Sequence, residues 1–267
     1  MGQYWDIVCV DTLEVTGGLG KLHEVVYSDS LAKEMERILA AAPVRPPSLL
    51  PLGVELVAGY ATKRLSPIEK LPEEILDKIS SFIGSELCLE WFAMACLRFL
   101  EAYYRETFRR YRKTSGQWAG KRIICIGDYA KDYPPGFLTP EEEQVIVPDL
   151  YCYAADHFGP MPHGSRWTSY GIVRRDLDPF AYLEGPNSIL RNLTTKEYVR
   201  RSGIKRRNGL GFAVMSRIPW STDPSVSIEC SFAVHRGVWA GHRFDITTTD
   251  LVALDDSWRD VTEEVDR

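Results

Sequence analysis

The 267-residue chain is poor in the features that mark a membrane or secreted protein. No stretch approaches the roughly 18 apolar residues of a spanning helix. Met1 to Val10 lacks the basic segment and apolar run of a secretory signal. Gly2 is not followed by a myristoylation pattern, because Asp6 stands where Ser or Thr is needed. The six cysteines, Cys9, Cys88, Cys96, Cys125, Cys152 and Cys230, form no Cys-x-x-Cys pair and lie mostly within apolar runs. They read as buried thiols of a reducing compartment, cytosol or nucleus. Positive charge is also short. A net charge of -5 argues against a chain built to hold nucleic acid, since phosphate binding needs a positive field.

Signatures of catalysis and cofactor binding are equally scarce. There is no Gly-x-Ser-x-Gly elbow. Gly17-Gly18-Leu19-Gly20-Lys21 has the wrong spacing for a phosphate loop and no Ser or Thr after the lysine, so it reads as a turn. Cys152, Asp156, His157 and His163, and His235 with His242, match no zinc spacing. Asp255-Asp256 and Glu263-Glu264 read as solvated acidic runs. The expectation is no metal, no cofactor and no catalytic residue.

What is present is an ordinary globular composition, 45% hydrophobic and 26% charged, in a chain long enough to bury a substantial core. Tyr4 to Val10 and Lys121 to Ile126 are strand candidates, as are Gly209 to Ile218 and Val226 to Val234. Leu31, Met35, Ile38 and Leu39 predict a helix within Ser30 to Ala42. Thr139-Pro140-Glu141-Glu142 has capping-box spacing with proline at the first helical position, and Thr194 with Glu197 suggests another capped helix. Pro43 to Pro51 holds four prolines and predicts an extended connection. Pro160 to Ser169 reads as a loop. Strands and helices follow no regular βαβ alternation, so the predicted class is α+β, with a mixed, largely antiparallel sheet core.

Inside this core lies a helical block. Ile75, Leu76, Ile79, Phe82 and Ile83 recur at steps of three and four, opened by Leu71-Pro72 and closed by Gly84. A second helix, Leu87 to Lys113, carries two apolar stripes, one through Leu89, Ala93, Cys96, Leu100 and Tyr103, the other through Leu97, Tyr104, Phe108 and Tyr111. A helix apolar on two sides needs cover on two sides. Leu71-Pro72-Glu73-Glu74-Ile75-Leu76-Asp77-Lys78-Ile79, Phe82-Ile83 and Ala95-Cys96-Leu97-Arg98-Phe99 resemble the F-box family. That resemblance implies a module that docks on the Skp-type adaptor of a Skp–cullin–F-box ubiquitin ligase. It makes Leu71, Pro72, Ile75, Leu76 and Ile79 the adaptor-facing residues, with Cys96 and Phe99 on the later helix.

The flanks extend the likeness. The Met1-Gly2-Gln3-Tyr4-Trp5 opening, Trp118 to Tyr129, Leu190 to Thr194 and Trp239 to Asp245 are similar to a family of uncharacterised fungal F-box proteins, and to bacterial proteins with the same opening and no F-box. This implies a core at 1–65 and 114–267, with the F-box-like module at 66–113 inserted into it. The expected partners are a Skp-type adaptor and a protein target of unknown identity, with no nucleic acid and no membrane.

One five-residue motif occurs twice, as Trp118-Ala119-Gly120-Lys121-Arg122 and Trp239-Ala240-Gly241-His242-Arg243. Glycine two after tryptophan permits a tight turn, and the arginine is free to stack or to pair a carboxylate. The two copies read either as equivalent strand entries or as a pocket in which Trp118, Arg122, Trp239 and Arg243 bind an anionic or aromatic ligand, with Asp128 and Asp245 pairing the arginines. Arg109 to Lys113 is basic at a helix end, where the dipole favours it. Arg200-Arg201 with Lys205-Arg206-Arg207 reads as a solvated loop or an anion patch. The leading function is a ligase adaptor. The alternative is a small-molecule-binding or enzymatic core with a structural insertion.

Overall fold

Trp5, Ile7 and Cys9 alternate with Asp6 and Val8, and all five are buried in strand β1 (Trp5–Cys9). A strand buried on both faces is a central strand. The computed structural model describes residues 2–41, 66–161, 181–205, 209–226 and 233–265. They belong to an α+β fold of two compact units. One comprises Met1–Ala42, Ser115–His163 and Leu183–Arg267, and the other Pro43–Thr114 and Gly164–Tyr182.

In the first unit, β1 turns through Asp11, Thr12 and Leu13 into β2 (Glu14–Val15). Two helices follow, α1 (Leu22–Val26) and α2 (Asp29–Ile38), the second capped by Ser28, whose Oγ accepts from the Leu31 amide at 3.2 Å. After the second unit the chain forms β3 (Ile123–Gly127), antiparallel to β1 with Trp5 opposite Gly127 and Cys9 opposite Ile123.

Two short helices, α6 (Pro140–Val145) and α7 (Leu150–His157), cover the Val8 and Ile124 face of that pair through Leu138, Ile146, Leu150 and Ala154. The capping box foreseen at Thr139 is formed. Its Oγ1 accepts from the Glu142 amide at 3.2 Å, and the Thr139 amide donates back to Glu142 at 2.8 Å. A short β4 (Gly159–Pro160) lies parallel to β2.

The chain then builds a second sheet from β5 (Ser188–Asn192), β6 (Glu197–Arg200), β8 (Phe244–Thr248) and β9 (Arg259–Asp260), followed by helix α9 (Thr262–Val265). Helix α8 (Gly209–Met215) leads into β7 (Pro219–Trp220), which joins the first sheet parallel to β3. The strand orders are β4-β2-β1-β3-β7 and β8-β5-β6-β9. The five-residue pairings, β1 with β3 and β5 with β8, are antiparallel, while the parallel pairings join two residues each.

Three expectations need correction. Gly209 to Ile218 is not a strand but mostly α8. All seven of that helix's residues are buried, and a uniformly apolar run has no period to separate helix from strand. Thr194 and Glu197 cap no helix, since they flank the β5–β6 hairpin turn. Cys88 and Cys152 are exposed, although Cys9, Cys96 and Cys125 are buried. The Pro43 to Pro51 connection, the boundary at 65, His163, Arg206, Arg207, Cys230 and most of Val226 to Val234 lie outside the described residues.

The second unit contains α3 (Glu73–Phe82), α4 (Glu86–Ala95) and α5 (Leu97–Thr114). The single helix expected over Leu87 to Lys113 is broken at Cys96, whose backbone is fully extended. The break lets α4 and α5 fold back on each other, which covers Leu89, Ala93, Tyr103 and Tyr104. Leu89 and Ala93 pack on Tyr103 and Tyr104, while Phe92 stacks on Phe99 with ring centroids 4.4 Å apart. Leu76 of α3 closes a second cluster with Cys96, Phe99 and Ala102. Arg105 ties α5 to α3 through Asp77, with Nε donating at 2.8 Å.

Candidate functional site

Both copies of the repeated motif are turns that enter strands. Gly120 and Gly241 have φ of 71° and 79°, a left-handed conformation in which a side chain is strained. This explains the glycine in each copy. Each indole is buried, and its N–H meets a carboxylate: Trp118 Nε1 donates to Glu14 Oε2 at 2.6 Å, and Trp239 Nε1 to Glu197 Oε2 at 2.7 Å. Such partners spare the buried indole N–H the cost of an unmade hydrogen bond. A threonine hydroxyl reinforces each acceptor, Thr12 at 2.7 Å and Thr195 at 2.9 Å. Burial pushes the Glu197 carboxyl up, but hydrogen bonds from Arg259, Trp239 and Thr195 outweigh it and hold the group below its ordinary value.

The two arginines meet where the turns adjoin, at an antiparallel bridge between Arg122 and Arg243. Arg122 donates from Nε to Asp11 Oδ1 at 2.7 Å and from Nη1 to the Phe137 carbonyl at 2.6 Å. Nη1 and Nη2 also clasp Glu142 at 2.9 and 2.7 Å, and Nη2 lies 2.6 Å from Asp11 Oδ1. Four of the five N–H donors of this guanidinium are hydrogen-bonded, and Nη2 also lies in ion-pair contact with Asp11. Arg243 donates from Nη1 to Asp11 Oδ2 at 2.6 Å and to the Gly120 carbonyl at 2.9 Å, and it is the more exposed of the two.

Asp11 thus bridges both arginines. Burial raises its pKa, yet the Arg122 side chain and amide, with the charge of both guanidiniums, bring it below the usual carboxylate range. The Arg122 bond lowers Glu142 as well. Two cations are balanced by two carboxylates held ionised.

These are not the partners foreseen. Asp245 pairs Arg191, accepting at 2.8 and 2.6 Å, and Asp128 accepts from the Tyr4 amide at 3.0 Å. Chemically, the cluster is a clamp. Arg122 has little donor capacity left for an anionic ligand, whereas the side chain of the more exposed Arg243 donates from Nη1 alone among the described residues, and carboxylates held ionised by arginine are poor proton donors. Asp11 and Glu14 were not singled out in the sequence, and Glu142 and Glu197 were expected only as helix-capping residues, not as partners of the motifs. A Thr-x-Glu triplet after a strand, Thr12-Leu13-Glu14 and Thr195-Lys196-Glu197, was the available signal.

No protein-family model, curated protein or solved structure matches the chain.

The glycine-rich turn at 17–20 carries three positive φ angles and folds over Asp6, which accepts from the Leu19 amide at 3.2 Å. A carboxylate already bound to that turn opposes a phosphate there. Arg201 pairs Glu36 at 2.8 Å, and Arg200 pairs Asp260 at 2.9 Å, so two of the five residues of the second basic cluster are paired. No group of three or more candidate metal ligands occurs among the described residues.

The helical unit supplies the other candidate surface. Of the residues expected to face an adaptor, Pro72 and Ile75 are exposed, Leu71 and Ile79 are half-buried, and Leu76 is fully buried. Leu76 is therefore a core residue of its unit, because α3 turns it towards Phe99 and Ala102. Larger exposed groups lie nearby in sequence. Phe82 is 77% exposed, Trp91 57%, Met94 53% and Ile75 46%. Ile75 and Phe82 lie seven residues apart on one face of α3, and Trp91 and Met94 three apart on α4.

Proposed function

We propose that the protein is an F-box-type recruiting subunit of a Skp–cullin–F-box ubiquitin ligase, with the helical unit as the docking module. The observation that carries this reading is the exposure of Ile75 and Phe82 on α3 and of Trp91 and Met94 on α4. Large apolar side chains exposed on two helices of one unit gain from a partner that covers them. In support, three helices among the described residues of this unit share apolar clusters, as a small helical module would. The α+β core then presents a protein target, in cytosol or nucleus. The neutralised arginine clamp favours this role for the core over small-molecule chemistry.

The test is association of the purified full chain with a recombinant Skp-type adaptor. Ile75→Asp with Phe82→Asp should abolish capture while leaving the unfolding midpoint within about 0.5 kcal/mol of the parent, as is usual for exposed positions. Leu76 is the wrong residue to charge, because its loss would disrupt the unit itself. An intact chain that ignores the adaptor sinks the reading.

A further inference from the structure

The repeated tryptophan motif belongs to a much longer repeat that the sequence hides. Strands β1 and β3 pair from Trp5 opposite Gly127 to Cys9 opposite Ile123, and β5 and β8 from Ser188 opposite Thr248 to Asn192 opposite Phe244. Each motif ends one residue before the second strand of its pair. Each first strand runs into a hairpin whose turn residue, Leu13 or Lys196, has φ of 55°, and no other non-glycine residue among those described has positive φ. Each hairpin's second strand begins with the glutamate that accepts the indole, and gains a parallel partner of two residues, β4 or β9.

The connecting bonds correspond one by one. The amides of Gly159 and Arg259 donate to the carbonyls of Leu13 and Lys196 at 2.8 and 2.9 Å. Those of Met161 and Val261 donate to Val15 and Tyr198.

The two copies also exchange parts. After α2, Ala40 lies parallel to Ile246 of β8, and the Ile246 amide donates to Leu39 at 2.8 Å. After α8, Pro219 lies parallel to Cys125 of β3, and the Cys125 amide donates to Ile218 at 3.0 Å. Each copy completes the other's sheet. The motif glycines are reciprocal too, Gly120 donating to Phe244 at 2.8 Å and Gly241 to Ile123 at 2.9 Å. Arg122 and Arg243 pair with each other, and equivalent residues that pair must lie at a two-fold axis.

We infer that the core is one module present twice, the copies interlocked by exchanged strands about a pseudo-two-fold axis at Arg122 and Arg243, with Asp11 as the single clamp for both. The copies differ at the clamp. Asp11 accepts from the Arg122 amide at 3.0 Å, and at the equivalent place Thr194 Oγ1 accepts from the Arg243 amide at 3.0 Å. Symmetry therefore assigns Thr194 as a second position from which a carboxylate reaches both guanidiniums. The helical unit enters between Ala41 and Gly116 of the first copy, and its counterpart in the second is the stretch between Trp220 and Gly237. The inference stands apart from the ligase reading.

The test is made in the full chain. Asp11→Thr, which copies the second half into the first, should lower the melting temperature by about 5–10 °C, since it strips a paired carboxylate from two arginines. Adding Thr194→Asp to that variant should recover more than half of the loss. No recovery, or a further loss, overturns the symmetry. Should Asp11→Thr not fold, Asp11→Asn with and without Thr194→Asp asks the same question. Hydrogen exchange at the Cys125 and Ile246 amides of the parent reads the interlock. Both should exchange within tenfold of each other through one opening, and a wider gap overturns a shared lock.

Discussion

Tryptophan behaves differently in the two units. Trp118 and Trp239 are buried in the core and their indole N–H groups meet glutamates, whereas Trp91 on α4 is mostly exposed. Arginine follows the same division in part. Arg122 is held by Asp11, Glu142 and a carbonyl, while Arg109 at the end of α5 pairs with Glu106 at 2.7 Å and remains half exposed. The core turns polar groups inward and partners most of them, although the buried Trp5 indole Nε1 has no hydrogen-bond partner among the described residues. The helical unit keeps a small apolar core and leaves Phe82, Trp91 and Met94 outside it. A surface of that kind gains from a partner, and an interior of the first kind gains from staying closed.

The contrast breaks most severely if a charge enters the small core. Leu76→Asp should cost about 4 kcal/mol or more, from the lost packing and the buried carboxylate together, and melt the helical unit. Hydrogen exchange should then show unprotected amides in α3, with β1 and β5 still protected. Loss of protection in all of them would mean that the two units are not thermodynamically separate.

Next comes the close approach of α8 to α2. A Cβ at Gly211 would sit 2.1 Å from the Ala32 carbonyl oxygen, a backbone atom that has no rotamer to change. Gly211→Ala should destabilise the core by about 3 kcal/mol, as overpacking does, measured by urea unfolding.

Smaller effects test whether the two tryptophan sites are alike. Glu14→Gln and Glu197→Gln each weaken a charge-assisted bond to an indole and should each cost about 1–2 kcal/mol. Glu197→Gln should cost the more, because Glu197 also pairs Arg259. Equal or reversed losses would show that the Arg259 pair adds nothing.

Acid supplies the mildest test. The folded protein holds Asp11 below its ordinary 3.8, so its contribution is complete above that pH and fades as pH falls through the lowered folded value. Asp11→Asn should be less stable than the parent at pH 7, and the gap should narrow below pH 3.8. A gap that stays constant to pH 2 would contradict the ionised clamp.

Much of this was legible from residues alone, and the rest was not for identifiable reasons. Strands β1 and β3, helix α2 and the Thr139 cap carry strong local signals, either dense β-branching or a side chain that bonds its own backbone. The two Trp-Ala-Gly-x-Arg turns were visible because a positive φ demands glycine and a buried indole tolerates few replacements. The longer repeat was invisible because its strands are fixed by pairing rather than by residue identity. Asp6, Val8 and Cys9 have Ile189, Arg191 and Asn192 as their counterparts. Leu13 and Lys196 share a conformation and no chemistry. The break at Cys96 left no trace, because extended backbone is open to any residue. The buried state of Leu76 was likewise hidden, since the helical period marks Ile75 and Leu76 alike and only packing separates them.

The chain leaves the core at Ala41 and returns at Gly116, and both ends are pinned to neighbouring carbonyls: Ala41 donates to Ile246 at 2.9 Å and Gly116 to Arg37 at 3.1 Å. Adjacent stems have a mechanical consequence. A pull applied through the inserted residues enters the core at one edge and loads those two bonds in succession, as in opening a zipper. The Ala41 bond is itself half of the exchanged bridge between Ala40 and Ile246, so a load on that stem reaches the interlock directly, and only the exchange at Pro219 lies beyond it. Traction on the inserted segment would therefore strain the interlock itself at its Ala40 end.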